Sequence, residues 1–177
     1  VLRAEPLEPE LVSRLAAVEF SVLCHYQPGD ADPEAAVRFL RETSGPFTDE
    51  HLIAITSLDF YYMCYSSDAA QWHTLMDLLR SQAAREPTDM AARLALLQTE
   101  AMYGSCSGAD IEAMLASARS ACTLARATGF GSVELTLQLL EAQVALVRAE
   151  RGKVLRLFQS LRLPPSAPPQ VHGSWAC

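Results

Sequence analysis

The chain has 177 residues, about one domain in length, and half of them are apolar, so it can bury a real core. Leu, Ala and Val dominate over three Ile, which favours helix over sheet. A net charge of -7 without a polybasic arm or zinc-finger spacing argues against nucleic-acid binding, and no apolar run reaches the roughly 18 to 20 residues that cross a bilayer.

Charge is divided unevenly: residues 1 to 100 carry 16 acids and 7 bases, residues 101 to 177 carry 5 acids and 7 bases. The two ends are therefore expected to meet different partners. Cys24, Cys64, Cys106, Cys122 and Cys177 show no paired spacing, which fits a reduced intracellular compartment, cytosol or nucleus. The chain starts at Val1 without a basic leader and is expected to be a segment of a larger protein.

The first helix is predicted from about Glu10 to Tyr26, where Leu11, Leu15, Val18 and Val22 share one face and Val12, Ala16, Phe20 and Leu23 a second. Gln27 to Asp32 breaks the pattern, Pro33 opens a short second helix, and Ser44-Gly45-Pro46 follows it. Thr48 with Asp49 and Glu50 caps a third helix running to about Ser66; His51 is best read as part of its first turn. Phe60 to Tyr65 are consecutive bulky residues that surround this helix at about 100 degrees per residue, so some rings face away from any one core.

Asp68 caps a fourth helix with Trp72, Leu75, Met76, Leu79 and Ala83 inside, ended by Pro87. Thr88-Asp89 opens a fifth, with the stripe Met90, Leu94, Leu97 and Ala101, and Gly104 to Gly108 reads as a loop. Ile111, Leu115, Ala118, Cys122 and Ala125 mark a sixth, closed by Gly129. Ser132 opens a seventh that is apolar on two faces, Gly152 interrupts it, and an eighth around Val154 to Leu161 stops at Pro164 and Pro165.

The longer helices begin near 9, 48, 88 and 132, a period of about forty that suits two-helix units stacked on one another. Leu137, Leu140 and Val144, then Gly152, then Val154, Leu157, Phe158, Leu161 and Pro164 resemble the pattern of the tetratricopeptide-like (TPR-like) helical repeat superfamily. Ala118, Cys122 and Ala125 before Ala127-Thr128-Gly129 resemble it in the preceding unit, whereas the first two pairs match poorly and Glu141 stands where a small residue is expected. The resemblance implies an all-α fold of about eight helices, antiparallel pairs stacked as a TPR-like α-solenoid. Its domain covers 1-163, in pairs at about 9-43, 48-86, 88-129 and 132-163, with a Pro-rich tail at 164-177.

Chemistry-bearing patterns are weak. Gly104-Ser105-Cys106-Ser107-Gly108 has the form of a nucleophile elbow, but a helix rather than a strand precedes it and only His172 follows. Cys24-His25 and Cys64 with His73 lack the two-cluster spacing of zinc sites, so no metal, cofactor or catalytic residue is expected. The functional expectation is a non-enzymatic protein-interaction or scaffold module that holds a protein partner or flanking segments of its own chain, with no nucleic acid and no membrane. Tyr61, Tyr62, Tyr65 and Trp72 are the expected apolar anchors, and Arg148, Arg151 and Arg156 the expected acidic-partner contacts. The alternative is an all-α enzyme or small-molecule binder with a pocket between helices, using Cys106 or His73; a third reading is a scaffold stiffener.

Overall fold

A computed structural model describes residues 8–66, 68–107 and 110–160. Among them the chain is all helical, with eight α-helices and no strand: α1 Pro9–Tyr26, α2 Pro33–Glu42, α3 Asp49–Tyr65, α4 Ala69–Arg85, α5 Met90–Ser107, α6 Ile111–Thr128, α7 Gly131–Val147 and α8 Arg151–Ser160. Helix starts follow the capping chemistry of the sequence. Asp32, Asp68 and Asp110 accept hydrogen bonds from backbone N–H groups of α2, α4 and α6, satisfying donors that a helix leaves unpaired. Asp89 accepts from Ala92 N at 3.0 Å and, through its other oxygen, from Phe47 N at 2.8 Å.

The chain divides into two compact units, Val1–Thr99 and Glu100–Cys177, and α5 contributes to both. In the first unit, α1 packs on α2 and α3, and α2 on α3 and α4. Phe20, Ile55, Leu58, Leu75, Leu79 and Leu94 are fully buried there. Ser13, near the start of α1, donates to Glu42 at the end of α2 at 2.5 Å, so the two helices are antiparallel. By contrast α1 and α3 run in the same direction: Arg14 pairs with Glu50 near their starts and His25 stacks on Phe60 near their ends. The links from α3 and its leading loop to α5 follow the same sense, Phe47 to Asp89 and Asp59 to Gln98.

In the second unit α6 and α7 are antiparallel, since Arg126 meets Glu134 and Arg119 meets Glu141. Ala118, Ala121 and Ala125 are buried along α6 and Leu137 and Leu140 along α7; small residues on one helix let the other approach closely. Gly129, at φ 82°, ends α6 as its sequence predicts.

Two expected boundaries move. Residues Gly104 to Ser107 continue α5 rather than forming a loop. Gly104 is buried where a Cβ would lie 2.9 Å from Met114 Cγ, so its small size serves helix packing instead of a turn. The break between α7 and α8 falls at 148–150, with Ala149 at φ 57°, and Gly152 lies inside α8. Here Glu150 N donates to Ala145 O and Ala149 N to Leu146 O, the paired closing bonds of a Schellman motif with Ala where Gly is usual. The tail at 164–177 lies outside the described residues.

Candidate functional site

The outer face of α1 is the most unusual surface of the first unit. The buried side of this helix consists of Ser13, Ala17, Phe20 and Cys24. On the opposite side Leu11, Leu15, Val18 and Val22 are 40 to 52% exposed, joined by Val12 and Tyr26. Isolated exposed apolar residues are ordinary; here four of them lie in one continuous stripe along a single helix. Beside it, Val18 and Ser21 of α1 line a small groove with Ile53 of α3, and the Arg14–Glu50 ion pair borders that groove. Ile53 is itself 57% exposed.

A ring cluster occupies the far ends of α1 and α3. His25 lies flat on Phe60 at 5.0 Å, Tyr61 meets Phe20 edge-on at 5.8 Å, and Tyr65 tilts against Tyr61 at 5.6 Å. Of the expected aromatic anchors, Tyr65 is exposed and Tyr61 half-buried. Tyr62 and Trp72 are corrected to core residues: each is 3% exposed, and their rings meet edge-on at 5.5 Å between α3 and α4. Helices α1, α2, α4 and α5 all meet α3, so the consecutive rings part company, some inward and some outward.

The expected basic contacts occupy the second unit, around the α7–α8 junction. Arg148 donates to Glu112 Oε1 at 2.7 Å, and Lys153 bridges Glu141 and Glu150. Among the described residues no ion pair engages Arg151 or Arg156, both of which are exposed on α8. The junction is thus a mixed-charge surface with two exposed guanidinium groups on α8.

Chemical alternatives find less support. His25 Nδ1 lies 2.9 Å from the Ser21 carbonyl, so that nitrogen carries its proton and does not accept one from Cys24, 3.1 Å away. Burial pushes the Cys24 thiol up, and pushes that of Cys122 up to about 11, which suppresses the reactive thiolate. Cys106 sits on the last turn of α5, without the strand-to-helix elbow that its motif requires. Among the described residues no group of three or more His, Cys, Asp or Glu side chains is placed to hold a metal. A cleft of about 380 Å³ between α2 and α4 is lined by Leu40, Arg41, Asp77, Gln82 and Arg85. Arg85 is already committed to the Thr43 carbonyl at 3.0 Å and to Gln82.

Two features important to the first unit were not singled out from sequence as parts of a site. One is the outer stripe of α1, whose signal was present as one of the helix's two apolar faces. The other is Asp59, wholly buried on α3 and bonded to Gln98 and Thr99 of α5 at 2.8 and 2.9 Å. A lone acid inside an apolar run is its only trace in the sequence.

No known protein family, no curated protein and no solved structure matches this chain. No helix among the described residues is long and apolar enough to cross a membrane.

Proposed function

We propose that this chain is an intracellular protein-interaction module, built from TPR-like stacked helix pairs, that holds a protein partner by surface complementarity rather than by bond making. The observation that carries this reading is the apolar outer face of α1, Leu11, Leu15, Val18 and Val22, exposed on a helix whose other side is already packed. Tyr65, exposed near the end of α3, adds a ring against Tyr61 where the far ends of α1 and α3 meet. Support for stacking comes from the first unit, where Arg14–Glu50, Asp59–Gln98, Asp59–Thr99 and Phe47–Asp89 join residues 36 to 42 apart, matching the period of about forty in the sequence. Arg151 and Arg156 provide a separate basic surface suited to an acidic segment.

The test is a photo-crosslinking residue at Leu15 compared with one at Thr74, which is exposed on α4. The Leu15 probe is expected to trap a protein that the Thr74 probe does not, with the product lost on Val18→Glu while helical content is unchanged. Equal labelling from both positions would remove the support for α1 as the docking face.

A further inference from the structure

The outer stripe of α1 has a spacing of its own. From Leu11 to Leu15 to Val18 to Val22 the steps are four, three and four, the alternation of the a and d positions of a coiled coil. Leu15 and Val22 fall at a, Leu11 and Val18 at d, and the buried residues Ser13, Ala17, Phe20 and Cys24 fall at f and c, directly opposite. The seam is therefore presented outward from Leu11 to Val22; the next d position, His25, is stacked on Phe60 of α3. A core-facing stripe has no reason to keep this register on the side away from the core.

The flanks decide what fits. Arg14 occupies a g position and Glu19 the e position five residues on. In a parallel pair of such helices, g of one meets that e of the other, so two copies place an arginine beside a glutamate on both sides of the seam. The next g position is Ser21, which lines the groove with Ile53; its e counterpart is Tyr26, which is 67% exposed. Parallel pairing thus sets the Tyr26 ring of each copy over the apolar groove of the other. Arg14 already holds Glu50, but a guanidinium has five donors in a fork and can serve two carboxylates.

From this self-complementary register, we propose that the partner of the α1 face is a second copy of this chain, joined by parallel, two-fold pairing of α1 with α1. The inference rests on the docking reading above and names its occupant. Isolated helices shorter than about 12 to 15 residues are marginal in water, but α1 is an 18-residue helix already held by α2 and α3, so pairing requires no new helix to form. The seam is short, and the resulting dimer is expected to be reversible and concentration-dependent.

Sedimentation velocity on the full chain tests this. A monomer–dimer equilibrium is expected, abolished by Val18→Glu with the circular dichroism spectrum unchanged. Glu19→Arg and Arg14→Glu should each weaken self-association about tenfold, whereas an equimolar mixture of the two should associate as the parent does, since only the mixed pair sets opposite charges at both flanks. A chain that stays monomeric at roughly 100 micromolar, a dimer indifferent to Val18→Glu, or a mixture no tighter than its components would overturn the proposal. If the chain is monomeric yet the Leu15 probe traps a different protein, self-pairing falls and the docking face stands. Failure of both measurements removes both.

Discussion

Gln98 donates from Nε2 to the Asp59 carboxyl at 2.8 Å in the interior of the first unit, while its own Oε1 is buried without a partner. Burial pushes the Asp59 carboxyl up to about 7 from 3.8, against the hydrogen bonds from Gln98 and Thr99, which lower it. Between those two values the folded chain binds a proton that the unfolded chain lacks. Stability from this group is therefore complete only below the unfolded value near pH 4, falls as pH rises through 7, and levels off above it, a difference on the order of 4 kcal/mol. Asp59→Asn should flatten that slope and raise stability at pH 8, because its amide donates to Gln98 Oε1 once the Gln98 amide turns over. Urea midpoints of both proteins at pH 5 and pH 8 check this; an unaltered slope in the variant would show that Asp59 does not set it.

His51 should produce the opposite slope. Its ring lies between Phe39 and Phe47 at 4.6 and 4.9 Å, takes the Thr48 N–H on Nδ1 at 2.9 Å and meets the Thr43 hydroxyl at 2.7 Å through Nε2. Burial lowers its affinity for a proton below the ordinary 6.5, although the Glu50 and Asp89 carboxylates pull the other way. As pH falls through 6.5 the unfolded chain takes up a proton first, so stability declines just below that value. His51→Gln keeps an acceptor for the Thr48 N–H. It should remove the acid-side decline at a cost of about 1 to 3 kcal/mol from lost ring packing, read from thermal melts at pH 7.5 and 5.5.

Gly104→Ala should destabilise the second unit. The added methyl would stand 2.9 Å from Met114 Cγ and 3.0 Å from its Cβ, atoms near the backbone that swing aside less readily than a side-chain tip. Overpacking of this kind costs roughly 1 to 3 kcal/mol. Denaturant unfolding should show the loss, and Met114→Ala in the same chain should make the added methyl less costly.

Ala149→Gly should act in the other direction. Ala149 holds φ 57° to close the α7 motif, a conformation in which its Cβ is strained. Glycine there should raise stability by about 1 kcal/mol, seen as a higher melting temperature. The same substitution at the buried helical position Ala142 should lower it.

Helices were legible in the sequence because caps and breakers are local: Asp32, Asp68 and Asp110 sit where their helices start and Gly129 where α6 ends. Facing was less so. Periodicity gave α1 two apolar faces, and only the packing of α2 and α3 determines that Phe20 goes in and Leu15 stays out. Tyr62 and Trp72 look like anchors in a list of aromatic residues, yet whether a ring is exposed depends on what lies across from it. Gly104 misled for a related reason. Glycine signals either a turn or a close approach, and the Met114 side chain that decides between them sits ten residues further on.

The spacing of about forty residues between bonded partners in the first unit also bears on how the chain reaches its folded state. Arg14 to Glu50 and Asp59 to Gln98 close loops of similar length, 36 and 39 residues, and loop closure grows costly only slowly with length. Each helix can dock once the next one or two have emerged, without waiting for a distant segment, so ordering of this unit is expected to advance in step with the chain and to be quick for its size.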